Sequence, residues 1–365
     1  MVLVDEATGE ARWETEASDS GTHVAMSPDG RLVASFGWND EHWKLLDSSS
    51  GEVRRVGVKH DGTNACICLV PDSGQRLLQE GCSVVAHTGA LRTVAFSPCG
   101  QILATGGIGT TVILWDIATG GAQQRLQVNA GQTYACSLSF SANGARLACG
   151  NNNGFIHVWS LATGSLFRTI ASPHTSLKIG RSVHFSPTDS ARLVSVCSSL
   201  PAPGFPASYS FIHLWDIESG ELQRRITEGH FAEFSPNGRT IAITGGSNHS
   251  YVRVVDSDSG ELRMNMGGHS DSVYSAAWSI DGSKLASGCA EAGGTCKVWD
   301  SSTGALLRTI HLGNAEVLSV VCGRDWVRDT PRAMAFAMGH HPRLGAVSLV
   351  LGLEVGVVRM IVDRV

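Results

Sequence analysis

Thr-Val-Ile-Leu-Trp-Asp-Ile-Ala-Thr-Gly, residues 111–120, is the stretch that decides the fold, because its pattern returns along most of the chain. In each copy an aspartate, once replaced by serine, follows an apolar residue and stands four residues before a glycine. The copies are Asp5–Gly9, Asp47–Gly51, Asp116–Gly120, Ser160–Gly164, Asp216–Gly220, Asp256–Gly260 and Asp300–Gly304. Their starts lie 42, 69, 44, 56, 40 and 44 residues apart. A period near forty residues predicts a repeat architecture.

A second recurring element, Ser27-Pro28-Asp29-Gly30, lies between two short apolar runs. Proline presets its own φ, and Asp or Asn followed by Gly supplies a tight return, so each copy predicts a hairpin. A strongly alternating third strand, such as 155–159, leads into the Asp-to-Gly turn, and a short fourth strand such as 166–170 follows. Four antiparallel strands per forty residues predict an all-β fold, the β-propeller.

The Trp-Asp pairs that begin at Trp115, Trp215 and Trp299, together with the Ser-Pro-Asp-Gly-like turns, resemble the WD-repeat (β-transducin-like) family. The resemblance covers about residues 20–312. It implies a propeller that acts as a non-catalytic scaffold, binding protein or peptide partners within a multi-subunit complex. It also implies that loops between second and third strands share one face with the loops that link blades.

The resemblance further implies a buried tetrad of His, Ser or Thr, Asp and Trp in each blade. His269, Ser287 and Trp299 match three of its members, but Gly293 stands where the aspartate belongs. Gly109 occupies the same place in an earlier repeat. Because a buried histidine without its carboxylate loses a charge-assisted bond, we expect a less rigid ring. We also expect His269→Ala to leave the melting temperature unchanged.

Two repeats are irregular. The longest gap contains one turn and two strands within residues 65–86 and then lacks a third and fourth strand, which predicts a truncated blade or an error in the gene model. Residues 1–15 begin within a third strand, and we expect them to complete the closing blade beside Val317–Val321, which would remove exposed sheet edges. The sequence predicts about seven four-stranded blades over residues 1–322 and a C-terminal extension over 323–365.

The tail from residue 331 onward departs from the repeat. Apolar residues spaced by four from Leu353 to Val365 have helical periodicity. Three interpretations stay open: an amphipathic helix on the propeller rim, a last strand pair over 348–353 and 357–362, or a docking helix similar to that of F-box adaptors.

Composition limits the kinds of partner and the cellular location that we expect. The net charge is −5 and Lys and Arg are scattered, so we expect no nucleic-acid partner. The apolar stretch 344–361 is interrupted by Glu354, which argues against a membrane span, and no signal peptide is visible. The ten cysteines include no Cys-x-x-Cys pair and predict reduced, buried thiols. We expect a monomer in the cytoplasm, with the nucleus as the second expectation.

No catalytic, cofactor or metal motif stands out. The chain has no Gly-x-Ser-x-Gly elbow, His-Glu-x-x-His, P-loop or dinucleotide fingerprint. The recurring aspartates precede Ser-Gly or Thr-Gly and are therefore interpreted as turn formers. Two alternatives to a scaffold remain: a propeller enzyme with an unrecognised channel site, and a degenerate, poorly folded gene product.

Partner-binding residues are expected in the irregular loops between second and third strands, which contain aromatic side chains among polar and charged ones. The candidates are Trp38, Asp40, Trp43, Asn152, Phe205, Tyr209, His249 and Glu291. Our hypothesis is that Trp38 and Phe205 anchor a peptide.

Overall fold

We describe the chain from a computed structural model. It covers residues 2–5, 22–37, 42–60, 64–69, 87, 91–128, 134–171, 177–199, 210–245, 250–279, 281–289, 295–311, 316–323, 333–339 and 349–352. These residues form an all-β fold, and no helix occurs among them. Within these ranges there is accordingly no helix that could cross a membrane.

The described strands form a series of sheets, which we number in chain order. Sheets 2 to 6 each contain four antiparallel strands in the order of the chain. Sheet 2 contains Leu91–Phe96, Ile102–Gly107, Thr111–Asp116 and Ala122–Gln127. Sheet 3 contains Ala135–Phe140, Arg146–Asn151, Phe155–Ser160 and Leu166–Ala171. Sheet 4 contains Leu177–Phe185, Arg192–Ser199, Ser210–Asp216 and Leu222–Glu228. Sheet 5 contains Phe231–Phe234, Thr240–Thr244, Tyr251–Asp256 and Leu262–Gly267. Sheet 6 contains Val273–Trp278, Lys284–Cys289, Thr295–Asp300 and Leu306–His311.

Sheet 1 has a fifth strand. It contains Thr22–Met26, Leu32–Gly37, His42–Asp47, Val53–His60 and Asn64–Leu69. The fifth strand pairs antiparallel with the fourth, from Asn64 opposite His60 to Leu69 opposite Arg55. It therefore lies at the outer edge of sheet 1 and does not begin the truncated blade predicted over 65–86. The remainder of that segment, residues 70–86, lies outside the described residues.

Sheet 7 brings the two ends of the chain together. It contains Glu316–Gly323, Ala333–Gly339, Leu349–Gly352 and Val2–Asp5. Val2–Asp5 pairs in parallel with Leu349–Gly352. The sequence had predicted pairing with Val317–Val321, which is wrong because Ala333–Gly339 and Leu349–Gly352 lie between the two segments in the sheet. The helical pattern from Leu353 to Val365 lies outside the described residues.

The sheets close into a ring. The first strand of each sheet contacts the first strand of the next sheet, and the first strand of sheet 7 contacts that of sheet 1. Four-stranded sheets arranged radially in this way are the blades of a β-propeller.

Apolar side chains fill the spaces between neighbouring blades. Trp159 of sheet 3 packs in one buried cluster with Val112 and Leu114 of sheet 2. Trp215 of sheet 4 packs likewise with Val158 and Ile170 of sheet 3. Because neighbours cover both faces of a blade, its third strand is buried along most of its length, and its apolar run is nearly continuous.

The Asp-to-Gly turns have the geometry that the sequence predicts. In the turn after Trp299, the N–H of Gly304 donates to the carbonyl of Asp300 at 2.8 Å. The Asp300 carboxylate accepts from the backbone N–H groups of Ser302 and Thr303 at 2.9 and 2.8 Å. Hydrogen bonds from Ser302 and Thr303 lower the pKa of Asp300 to about 2. The same bond from glycine N–H to aspartate carbonyl closes the turns after Asp47, Asp116, Asp216 and Asp256. The interpretation of these aspartates as turn formers is therefore confirmed for the described turns, and the turn after Asp5 lies outside the described residues.

Two blades contain a buried chain of histidine, hydroxyl and tryptophan. The Ser287 hydroxyl lies 2.6 Å from Nε2 of His269 and accepts from Nε1 of Trp299 at 2.8 Å. Sheet 2 repeats the arrangement with His87, Thr105 and Trp115. His269 is only 4% exposed and lies within hydrogen-bond distance of Ser287, so the expectation that His269→Ala leaves the melting temperature unchanged is revised.

Candidate functional site

The ring has two unlike ends. Since sheets 2 to 6 run in the same order, their connections between second and third strands gather at one end of the ring, together with the links from one of these sheets to the next. We call this end the loop face; its described parts include residues 108–110 and 152–154. The opposite end, the turn face, carries the Ser-Pro-x-Gly turns and the Asp-to-Gly turns.

Two of the predicted partner-binding residues lie in the described part of the chain, at the loop face or beside it. Trp43 lies in the third strand of sheet 1, where only its backbone is described. Asn152 is described in full and lies in the connection before the third strand of sheet 3. The others lie outside the described residues: Trp38, Asp40, Phe205, Tyr209, His249 and Glu291.

Asn152 links two blades through Tyr134. The amide oxygen of Asn152 accepts from the backbone N–H of Tyr134 at 2.8 Å, and the Tyr134 carbonyl accepts from the Asn152 N–H at 3.2 Å. The guanidinium carbon of Arg92, in sheet 2, lies 4.7 Å from the centre of the Tyr134 ring. A cation over an aromatic face is attractive by about 0.5–1 kcal/mol at exposed sites. Asn152 therefore positions Tyr134 beneath Arg92.

A β-bulge recurs near the start of the first strands, at the loop face. The registers skip one residue between Leu91 and Thr93, and another between Val273 and Ser275. The extra residues are Arg92 and Tyr274. A bulge turns the extra side chain away from the regular alternation of the strand, and Tyr274 is 38% exposed. Residue spacing alone did not reveal these bulges.

Three consecutive blades carry an aromatic residue at the same place, four residues before the Trp position. In sheet 3 it is Phe155, which is 40% exposed. In sheet 4 the guanidinium carbon of Arg225 lies 3.6 Å from the ring centre of Phe211. In sheet 5 the guanidinium carbon of Arg253 lies 3.9 Å from the ring centre of Tyr251.

Sequence reasoning missed these arginine–aromatic pairs. The repeated aromatic at that place in sheets 3, 4 and 5 was the available signal, but it was interpreted only as part of a strand. The partner arginines occupy different strands, because Arg225 lies in the fourth strand of sheet 4 and Arg253 in the third strand of sheet 5. No single sequence spacing describes both pairs.

The first strands of sheets 4 and 5 contain a buried histidine, His184, and a buried acid, Glu233. Glu233 accepts from the backbone N–H of Trp278 in the next blade, and burial raises its pKa to about 8. Its Oε2 atom is buried and has no hydrogen-bond partner among the described residues. Burial lowers the pKa of His184 to about 4, and the His184 ring lies 5.3 Å from that of Phe231. Across the described ranges, no three His, Cys, Asp or Glu residues are grouped so that they could hold a metal ion.

Known proteins resemble the chain in the same features. The WD domain, G-beta repeat model matches residues 79–116, 123–160 and 260–300. WD repeat-containing protein 1 of Xenopus tropicalis is 24% identical over 67% of this chain and 39% of its own length. WD repeat and SOCS box-containing protein 1 of Takifugu rubripes is 26% identical over 68% of this chain and 50% of its own. Target of rapamycin complex subunit LST8 of Bos taurus is 26% identical over 48% of this chain and 44% of its own.

The chain spans half or less of the length of these relatives. Four-stranded blades closed into a ring, with an Asp-to-Gly turn after the third strand, define a β-propeller built from sequence repeats. Three repeats of the chain match the family model, and two of these relatives are WD-repeat proteins by name, so the chain contains WD repeats and is similar to that family.

Proposed function

We propose that the chain is a non-catalytic scaffold that binds protein or peptide partners through its loop face. The observation that carries the proposal is the contrast between the two ends of the ring. The turn face repeats one hydrogen-bonded turn from blade to blade, whereas the described parts of the loop face differ in sequence from blade to blade. Ile108 and Phe155 are 43% and 40% exposed, and such residues are enriched where proteins bind one another.

The family relationship supports protein partners within a larger assembly, since one relative is by name a complex subunit. We propose a seven-bladed ring, with Val2–Asp5 completing the last blade, which is monomeric by itself and binds neither nucleic acid nor membrane. We place it in the cytoplasm, with the nucleus as the second location.

The test is affinity capture of the tagged full chain from its native lysate, followed by mass spectrometry. The loop-face variant Ile108→Ser/Phe155→Ser runs beside the wild type. The matched control is Leu306→Ser/Leu307→Ser on the fourth strand of sheet 6, where the two leucines are 47% and 49% exposed. We expect a reproducible set of proteins that the control retains and the loop-face variant loses.

Equal recovery by all three proteins would contradict a loop-face site. The Trp38→Ala/Phe205→Ala variant tests the predicted anchors in the same experiment, and undiminished recovery would exclude them. Recovery of chaperones alone from the wild type would favour the degenerate gene product. A screen for hydrolase activity on generic esters and phosphates addresses the competing propeller enzyme, and turnover above background would favour it.

A further inference from the structure

The turn that follows the third strand of sheet 3 lacks the aspartate of the other turns. Ser160 stands at its place. The equivalent residues of sheets 1, 2, 4, 5 and 6 are Asp47, Asp116, Asp216, Asp256 and Asp300. The backbone of the turn is nevertheless the same, because the N–H of Gly164 donates to the carbonyl of Ser160 at 2.8 Å. Sheet 3 therefore has a turn of the shape that binds a carboxylate, without the carboxylate.

In the other turns the carboxylate accepts from backbone N–H groups two or three residues further on. Asp116 accepts from the N–H of Thr119 at 2.6 Å, and Asp216 accepts from that of Ser219 at 2.8 Å. These hydrogen bonds lower the pKa of both carboxyl groups. The turn therefore favours a negative charge at this place.

The equivalent N–H groups of sheet 3 are those of Ala162 and Thr163. Neither these groups nor the Ser160 hydroxyl forms a hydrogen bond within the described part of the chain. The Thr163 hydroxyl lies 2.6 Å from that of Ser165. Ser160 is half-buried, whereas Ala162, Thr163 and Ser165 are exposed. The two N–H groups are therefore open to an anion that is attached to residue 160.

Arg146 lies beside the turn of sheet 3. It is directly opposite Ser160 in the antiparallel pairing of the second and third strands, so the two side chains leave the sheet on the same face, with β-carbons about 5 Å apart. Nη1 of Arg146 pairs with Oε1 of Glu218, from sheet 4, at 2.7 Å, and the Glu218 side chain is 58% exposed. An ion pair with an exposed acid contributes little, so a doubly charged group at residue 160 can compete for Arg146.

The contact between Arg146 and Phe167 places the guanidinium near the start of the turn. Phe167 stands seven residues after Ser160, at the same spacing by which Arg263 of sheet 5 follows Asp256. Arg263 pairs with that aspartate at 2.6 Å, so a side chain at this place lies beside the residue that begins the turn. The guanidinium carbon of Arg146 is 4.1 Å from the ring centre of Phe167. A positive charge therefore lies on the same side of the turn as Ser160.

We propose that Ser160 is a phosphorylation site whose phosphate takes the place of the missing carboxylate. The reaction needs a protein kinase and a nucleoside triphosphate. The bond from the γ-phosphorus to its bridging oxygen breaks, a bond from phosphorus to Oγ of Ser160 forms, and the hydroxyl proton passes to a base of the kinase as the nucleoside diphosphate leaves.

The phosphate accepts from the N–H groups of Ala162 and Thr163 and pairs with Arg146, and hydrogen bonds between charged groups of this kind are strong. Phosphorylation therefore ties the turn of sheet 3 to the second strand of the same sheet. The site lies on the turn face, and the proposal does not depend on the scaffold function.

The first test is mass spectrometry of the tagged full chain, isolated from its native cells in the presence of phosphatase inhibitors. The Ser160→Ala variant is the control. We expect a phosphate on Ser160 of the wild type. Complete coverage of the peptide without a phosphate on Ser160, or with phosphate only on Thr163 or Ser165, would overturn the proposal.

The second test incorporates phosphoserine at residue 160 during synthesis of the full chain and follows its phosphorus NMR signal with pH. The second pKa of phosphoserine is ordinarily about 6. We expect a value about one unit lower at residue 160, because the turn N–H groups and Arg146 favour the dianion, and a return towards 6 in Arg146→Gln. The matched control is phosphoserine at the exposed Ser302, where Asp300 already accepts from the turn N–H groups. The pKa should not fall there.

Equal pKa values at residues 160 and 302 would overturn the proposed position of the phosphate, as would an unchanged value in Arg146→Gln. If Arg146→Gln does not fold, Ser160→Asp provides the test, since its carboxylate meets the same N–H groups. Its melting temperature should exceed that of the wild type by about 1–3 °C, whereas that of Ser160→Ala should not. A melting temperature of Ser160→Asp at or below that of Ser160→Ala would contradict an anion site in this turn.

Discussion

The turn face and the loop face belong to the same blades but use sequence differently. On the turn face, each blade repeats one turn, and its glycine lies against the preceding blade: a β-carbon at Gly220 would meet Arg168, and one at Gly260 would meet Arg224. On the loop face, the equivalent positions carry different side chains from blade to blade. The comparison teaches that the repeat supplies the ring through its turns, while the face that we propose for recognition is the one that lacks this repeated turn.

The largest effect is expected from adding a methyl group on the turn face. Gly220 has a φ of 79°, and a β-carbon there would lie 2.9 Å from Cδ of Arg168. Gly220→Ala should lower the free energy of unfolding by about 2–4 kcal/mol through backbone strain and overpacking. Urea unfolding measures the loss.

Gly267→Ala is the matched control for that variant. Gly267 lies at the end of a fourth strand, near the loop face, and a β-carbon there would have no heavy atom within 4 Å. Its effect should stay within about 0.5 kcal/mol. Equal losses of unfolding free energy in Gly220→Ala and Gly267→Ala would show that the two faces tolerate an added methyl group equally.

The next largest loss of stability is expected from the buried, hydrogen-bonded set of His269, Ser287 and Trp299. His269→Ala removes the partner of Ser287 and leaves a space beside Trp299, so we expect a loss of about 1–3 kcal/mol. Thermal and urea unfolding check it. An unchanged unfolding midpoint would support the original expectation that His269→Ala leaves the melting temperature unchanged. It would also show that the hydrogen bond between His269 and Ser287 contributes nothing to stability.

We expect the free energy of unfolding to depend on pH through Glu233, in the first strand of sheet 5. Burial raises the pKa of Glu233 to about 8 in the folded protein, so the folded state binds more protons than the unfolded state at neutral pH. The free energy of unfolding should therefore fall as pH rises from about 4.5, the ordinary pKa of glutamate, to about 8, by at most ~1.4 kcal/mol per unit. Glu233→Gln should remove this slope.

The histidines give the opposite slope between about pH 4 and 6.5, which overlaps the acidic part of the Glu233 range. Burial lowers the pKa values of His87 and His184 to about 4, so their contribution is lost as pH falls from about 6.5 towards 4. Comparing the wild type with Glu233→Gln above pH 7 separates the two effects. An identical slope in both proteins would exclude a buried, protonated Glu233.

The smallest effect on stability is expected on the loop face. Ile108→Ser/Phe155→Ser replaces exposed side chains, so the free energy of unfolding should change by no more than about 0.5 kcal/mol per site. Urea unfolding of the purified variant measures this. A larger loss would mean that these side chains support the ring, and loss of partners in that variant could not then be assigned to recognition.

Much of the ring could be predicted from the sequence because its signals are local. Asp300, Thr303 and Gly304 form their turn with hydrogen bonds among themselves, and the alternation in 155–159 marks a strand without help from distant residues. The sheet to which the fifth strand, Asn64–Leu69, belongs could not be predicted, because it is set by pairing with Val53–His60 and not by a local sequence signal. The pairing of Val2–Asp5 with Leu349–Gly352 joins opposite ends of the chain and has no local signal.

The candidate site was predicted less well than the fold. Loop irregularity led to the loop face as the binding face, which stays a prediction; Asn152 lies there, but its amide positions Tyr134. The pairs of Arg225 with Phe211 and of Arg253 with Tyr251 depend on side-chain directions set by strand pairing and blade packing. Spacing along the chain does not encode those directions.

The most direct test of the central claim is hydrogen–deuterium exchange of the full chain, alone and with a partner recovered by affinity capture. We predict that the partner slows exchange in the loop-face segments, around 108–110, 152–155, 210–212 and 250–252. The turn-face segments around 97–101, 216–221 and 300–305 should exchange at the same rate in both samples. Protection confined to the turn-face segments would contradict the account.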